Sequence, residues 1–202
     1  MKMNLPNKLT VLRLFLVPIF VVIMMISGDL WASALGLLLF IVASLTDMLD
    51  GKIARKYNLI TDFGKFMDPL ADKFMVIGAM FVILYRSLSL YSDKLFSGVF
   101  FWAFMIVIFR ELAVTAMRLV VSGSSGIVVA ANMLGKIKTC TQIACVILCI
   151  LEPILCAYVP LLAPLAPILP LSLISTAAMA FFTLLSGINY IKSYWKFLDP
   201  EK

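Results

Sequence analysis

Residues 47–72 read DMLDGKIARKYNLITDFGKFMDPLAD and hold the densest chemistry of the chain: Asp47, Asp50, Asp68 and Asp72, interleaved with Gly51, Ala54, Arg55 and Gly64. Asp47 and Asp50 are three residues apart and Asp68 and Asp72 four apart, so on helices each pair projects from one face. Two antiparallel helices joined by a connection at 51–67 bring the four carboxylates into one cluster at the helix ends. Such a cluster supplies the hard oxygen ligands that magnesium or manganese prefers, and its four charges balance two divalent cations. Two metals held about 3.5–4 Å apart serve displacement at phosphorus by stabilising the attacking and departing oxygens. Gly51 and Gly64 permit close backbone approach, and Arg55 offers a planar fork to phosphate oxygens.

The structural alternatives are specific. Asp68 before Pro69 reads as a helix N-cap with proline at the first helical position, and Asp62 as a similar cap or turn residue. A single aspartate here is read as a cap; four in this order are read as a site. Their setting sharpens the point, because a charged side chain at membrane depth costs ~2.5–3.5 kcal/mol and four uncompensated ones roughly 10 kcal/mol.

The positioning elements follow from composition. Of 202 residues 63% are hydrophobic, and the mean hydropathy is +1.07, which excludes an ordinary soluble domain. Apolar stretches at about 9–27, 31–50, 70–88, 96–119, 138–158 and 171–192 predict an all-α, polytopic bundle of six transmembrane helices forming one domain over 1–202. Of the 17 basic residues, all but Arg86 and Lys94 then fall on one side, including Lys2, Lys196 and Lys202. The positive-inside rule makes that side cytoplasmic, with both termini and the aspartates on it. The net charge of +6 is topology plus attraction to anionic lipid and phosphate, not a nucleic-acid footprint. A cleaved signal peptide ending near Ala32-Ser33-Ala34 competes for the first span; the length of the apolar stretch and Arg13 within it favour a retained helix.

The remaining features are quieter. Cys140, Cys145, Cys149 and Cys156 lie on one apolar segment, no histidine is present to complete a mixed zinc site, and they read as small packing residues. Pro153, Pro160, Pro164, Pro167 and Pro170 interrupt any helix between spans five and six, and Ser122–Gly126 reads as a flexible connection. Glu152, near the external end of span five, pairs with a neighbour or reaches the headgroups.

The 47–72 segment matches every fixed position of DxxDGxxAR, eight residues, then GxxxDxxxD, and thereby resembles the CDP-alcohol phosphatidyltransferase family. The resemblance implies a six-helix membrane enzyme of the bacterial inner membrane, usually a homodimer. It would use two divalent cations, Mg2+ or Mn2+, to move a phosphatidyl group from a CDP-linked lipid to an alcohol, with release of CMP. Asp47, Asp50, Asp68 and Asp72 become metal ligands, Asp72 also the general base, and Asp50, Gly51, Ala54 and Arg55 the contacts to the CDP portion. NLPNKLTVLR (Asn4 to Arg13), FGKFMDPLADK (Phe63 to Lys73), Arg110-Glu111 with Arg118, and GKIKTCTQ (Gly135 to Gln142) are most similar to bacterial members of the family. In those members the donor is CDP-diacylglycerol and the acceptor sn-glycerol 3-phosphate.

A dianionic acceptor needs cations of its own. Arg110, Arg118, Lys136 and Lys138 fall near the cytoplasmic side, and Glu111, seven residues before Arg118 on nearly the same face, is expected to orient it. The alternative is a structural Arg110/Glu111/Arg118 network. These cations argue against choline or ethanolamine but leave inositol phosphate, serine or phosphatidylglycerol as alternative acceptors. A cation transporter would also place acids within a bundle, but it leaves Gly51, Ala54, Arg55 and Gly64 without a role.

Overall fold

A computed structural model of the chain describes residues 4–57, 59, 61–90, 94–125 and 133–195. Lys2, Lys196 and Lys202, and Gly126 of the predicted flexible connection, lie outside the described residues. Six α-helices follow one another: α1 (Leu5–Ile26), α2 (Leu30–Lys56), α3 (Asp62–Leu90), α4 (Lys94–Ser125), α5 (Met133–Tyr158) and α6 (Pro170–Tyr194), with a short 3-10 turn at Ala163–Leu165. No strand occurs among the described residues. Five helices are long and apolar enough to cross a bilayer. The exception is α3, which carries Asp62, Lys65, Asp68, Asp72, Lys73 and Arg86.

α1 packs on α2 and α3, α6 on α4 and α5, and the halves meet where α5 touches α2 and α3 and where α3 touches α4. Phe20, Met24, Phe40, Met80, Phe100, Val146 and Met179 are among the buried residues of the shared core. Gly36 sets the closeness of α1 and α2, since a Cβ there would collide with the Met24 side chain. Cys145 and Cys149 are buried against Thr176 of α6, at 3.6 and 3.9 Å, as packing residues in a helix interface; Cys140 is exposed.

Several helix boundaries differ from expectation. α2 continues through Gly51 to Lys56, so the predicted 51–67 connection shrinks to residues 57–61. Arg55 and Lys56 in its last turn suit the negative end of the helix dipole. α3 begins at Asp62 and is capped by Thr61, whose Oγ1 accepts from the Gly64 N–H at 3.1 Å. Neither Asp62 nor Asp68 is the cap, and Pro69 lies inside the helix, where it removes one backbone hydrogen bond. Pro153 is likewise internal to α5, and the break comes only after Tyr158. Ser122–Ser125 continue α4 instead of forming a loop.

Glu152 resolves into a cap delivered from another helix. α6 starts after Leu169, which holds a left-handed backbone (φ 47°) and provides no side-chain cap. Pro170 has no N–H to satisfy, and the next two are taken by the buried Glu152 carboxylate: Leu171 N donates to Oε1 at 2.9 Å and Ser172 N to Oε2 at 2.7 Å. Ser172 Oγ adds a third bond at 2.6 Å. The carboxylate also opposes the positive helix end. Glu152→Ala is expected to cost roughly 1–3 kcal/mol through these lost charge-assisted bonds, read as a lower melting temperature in detergent, with Glu152→Gln intermediate. Equal melting of Glu152→Ala and the parent would show that the cap contributes nothing.

Candidate active site

The end of the bundle where α2 closes and α3 opens gathers all four predicted aspartates, and it does so around a residue of α1. Arg13 is fully buried. Its Nη1 donates to Asp47 Oδ1 at 2.5 Å and to Asp72 Oδ1 at 2.7 Å, and its Nη2 to Asp50 Oδ2 at 2.5 Å. One helical turn earlier, Thr10 Oγ1 donates to Asp68 Oδ1 at 2.7 Å. One turn earlier again, Asn7 accepts from Thr61 Oγ1 at 3.0 Å, while the Asn4 amide donates to the Leu59 carbonyl at 2.9 Å. Asn7, Thr10 and Arg13 therefore form one polar stripe on α1 that stitches the α2–α3 turn and its acids together.

The exposure of the acids is graded. The Asp50 side chain is 5% exposed, Asp47 33% and Asp72 49%, so Asp72 is the one of the three most open to an incoming group. Four carboxylates against one guanidinium leave a formal excess of three negative charges, in oxygen donors of the hard type that divalent cations take. The donor set fits such ions. Among the described residues no three acids stand as a ready-made metal cage; the guanidinium lies among them.

Asp72 also borders a cavity of about 630 Å3. Arg110, Arg118, Lys136 and Lys138, the four cations expected to bind an anionic acceptor, all line it, together with Lys73, Gln142 and Tyr190. Asp50, Gly51, Ala54 and Arg55 do not line this cavity. They occupy the last turns of α2, with Asp50 buried on Arg13 and Arg55 exposed, its Nε donating to the Gly51 carbonyl at 2.9 Å. The site thus has two approaches, one along the end of α2 and one through the cationic cavity, with the acids between.

The cavity wall is internally wired, and one predicted contact is replaced. Glu111 does not orient Arg118. It accepts from Arg110 Nη1 at 3.1 Å and from Lys138 Nζ, reaching across from α5. The buried ammonium of Lys138 has the greater need of a counter-charge. Arg118 instead donates to Tyr190 Oη at 2.6 Å, with its guanidinium 5.0 Å from that ring, and Arg110 approaches the same ring at 5.5 Å while donating to Ser186 Oγ at 2.7 Å. Lys73 Nζ donates to Thr115 Oγ1 at 2.5 Å. Gln142 is buried, and its Nε2 has no partner among the described residues.

Arg13, Thr10, Lys73, Tyr190 and Gln142 are the residues that sequence reasoning passed over. The stripe Asn7, Thr10, Arg13, polar at every third position along the first turns of a helix that is otherwise apolar apart from Lys8, was the available signal for the first two.

A family model described as CDP-alcohol phosphatidyltransferase matches residues 3–188. The CDP-diacylglycerol--glycerol-3-phosphate 3-phosphatidyltransferase of Bacillus subtilis (strain 168) is 40% identical over 210 residues, covering 98% of each chain. The protein of the same name from Rickettsia felis is 32% identical, over 96% of this chain and 97% of its own. A "Probable phosphatidylglycerophosphate synthase" of Mycobacterium tuberculosis (strain ATCC 25618 / H37Rv) is 33% identical over 93% of this chain and 80% of its own.

Gly51 and Gly64 separate on packing. A Cβ at Gly64 would lie 3.2 Å from Asn7 Oδ1 and 3.4 Å from Thr61 Oγ1, pressing on the α1 stripe and the α3 cap; at Gly51 it would meet only Arg55 Nη2, at 3.7 Å. Gly64→Ala is therefore expected to lower the melting temperature. Gly51→Ala is expected to hold or raise it, since alanine gains up to about 1 kcal/mol in a helix interior. Equal destabilisation by both would contradict this packing.

Proposed function

The chain belongs to the CDP-alcohol phosphatidyltransferase family, and we propose that it transfers the phosphatidyl group of CDP-diacylglycerol to sn-glycerol 3-phosphate, giving phosphatidylglycerophosphate and CMP. The observation that carries the choice of acceptor is the cavity that Asp72, the most open of the three carboxylates on Arg13, lines together with Lys73, Arg110, Arg118, Lys136 and Lys138. A small dianion with a free hydroxyl suits it: the phosphate lies among the cations and the hydroxyl points at Asp72.

In this reading the 1-hydroxyl of glycerol 3-phosphate attacks the lipid-bearing phosphorus. The new bond forms from the acceptor oxygen, the bond from that phosphorus to the CMP oxygen breaks, and the hydroxyl proton passes to Asp72. Asp47, Asp50, Asp68 and Asp72 would hold two divalent cations, Mg2+ or Mn2+, whose charge when bound stabilises negative oxygens at phosphorus. Asp50, Gly51, Ala54 and Arg55 contact the CDP portion from the end of α2, where a Cβ at Gly51 would meet only Arg55 Nη2, at 3.7 Å, and Arg55 is exposed. Glu111 spans Arg110 and Lys138 and so fixes two of the cations in place.

In the same reading all six helices lie in the membrane, α3 together with the five that are long and apolar enough to cross it. α3 then carries its acids at the end shared by both termini, which the basic residues make the cytoplasmic face of the bacterial inner membrane. The homodimer rests on the family resemblance.

The test is CMP release by detergent-solubilised protein given CDP-diacylglycerol and magnesium, with glycerol 3-phosphate, inositol 1-phosphate, serine and phosphatidylglycerol offered separately. Release is expected only with glycerol 3-phosphate, and Asp72→Asn is expected to lower it by about 10²–10⁴-fold, the usual worth of a positioned base. Release with another acceptor would keep the family and overturn the acceptor. Arg118→Ala is expected to raise KM for glycerol 3-phosphate on the order of tenfold, with KM for the lipid donor unchanged; a rise in both would remove Arg118 from the acceptor site. Gly51→Ala, expected to fold normally, should lose activity, and full activity would end its assignment to the CDP contacts.

A further inference from the structure

Arg13 is the least expected member of the site, and its geometry says more than that it is a partner for acids. Three aspartates from two helices each give it one oxygen at 2.5–2.7 Å. Its side chain is wholly buried, and its remaining nitrogen, Nε, has no hydrogen-bond partner among the described residues. A guanidinium with three carboxylates on it takes up one oxygen of each, and an ion bound by those oxygens would have to replace it there.

We propose that Arg13 is the resident counter-cation of the carboxylate cluster, a positioning residue that competes with divalent cations for the oxygens of Asp47, Asp50 and Asp72. The proposal rests on the reading of these acids as cation ligands. With no ion bound, Arg13 offsets the mutual repulsion of acids that α2 and α3 bring together, and it keeps them aimed at one point. When an ion enters, the guanidinium gives up those oxygens and moves aside on its flexible stem. The cluster is therefore never without a positive centre, and Arg13 weakens cation binding while protecting the cation-free fold. Lysine at this position keeps the charge but lacks the fork that reaches three carboxylates together.

This separates competition from simple glue. A glue residue, once removed, leaves the acids less well placed and weakens cation binding; a competitor, once removed, strengthens it. Full-length protein in detergent, titrated with Mn2+ and followed by the electron paramagnetic resonance signal of the free ion, reads this directly. Arg13→Gln is expected to melt at a lower temperature without metal, to bind Mn2+ at least threefold more tightly than the parent, and to show a larger Mn2+-induced rise in melting temperature. Arg13→Lys should return the affinity towards that of the parent. Unchanged or weaker Mn2+ binding by Arg13→Gln would overturn the proposal.

A second measurement uses the parent protein and does not depend on the variant folding. Labelling of Arg13 by an arginine-selective dicarbonyl, read by mass spectrometry, is expected to be low without metal and to rise severalfold at saturating Mn2+. Labelling that does not change with Mn2+ would overturn the displacement. Failure of the underlying reading looks different: if neither parent nor Arg13→Gln binds Mn2+, the aspartates are not cation ligands, and the competition falls with that assignment.

Discussion

Like charges brought together in a low-dielectric setting are the constraint around which this molecule is organised. α2 and α3 carry two aspartates each to one end of a helical bundle, and that arrangement is tolerable only with a positive centre among them. Arg13 provides it from a third helix. Much of the local structure serves the same end: Asn4 and Asn7 fasten the start of α1 to the α2–α3 turn, Thr10 holds Asp68, and Gly64 lets that stripe come close. The first three helices are in effect one device for holding four acids.

The second half of the chain solves the opposite problem of gathering cations. Arg110, Arg118, Lys136 and Lys138 share a cavity wall, and the fold separates them with groups that accept their hydrogen bonds or offer a π-face. Glu111 stands between Arg110 and Lys138, Ser186 takes a second bond from Arg110, and Tyr190 receives both arginines. Gly187 makes room for this, since a Cβ there would lie 3.1 Å from Arg110 Cγ.

Much of this was legible in the sequence, for identifiable reasons. Spacings of three and four residues put paired acids on one helix face whatever else the chain does, so Asp47, Asp50, Asp68 and Asp72 could be assembled without a structure. The cationic set was legible as a set, because topology puts the end of α4 and the start of α5 together. Its wiring was not: Glu111 lies seven residues from Arg118 on one helix, yet its partner Lys138 is 27 residues away on another. Glu152 likewise meets α6 across a proline-rich connection. Arg13 was read as a topology cation, a mark of a retained first helix and the end of the NLPNKLTVLR match, and not as a partner of the acids, because a lone arginine near the start of an apolar helix has a bland use in most membrane proteins. Helix ends were misplaced where polar motif residues, Gly51 to Lys56 and Asp62 to Asp68, looked like a loop but continued the helices.

One consequence follows from which helices build which wall. The acids come from α2 and α3 and are held by α1, whereas Arg110, Arg118, Lys136, Lys138 and Tyr190 come from α4, α5 and α6. Among the described residues only the short run from Pro69 to Ile77 of α3 serves both. Replacements on the last three helices can therefore recast the shape and charge of the cationic cavity while the aspartate cluster keeps its geometry. The division between the two walls lies along the polypeptide itself, so a lineage of such proteins can reshape the cationic chamber without rebuilding the helices that hold the acids.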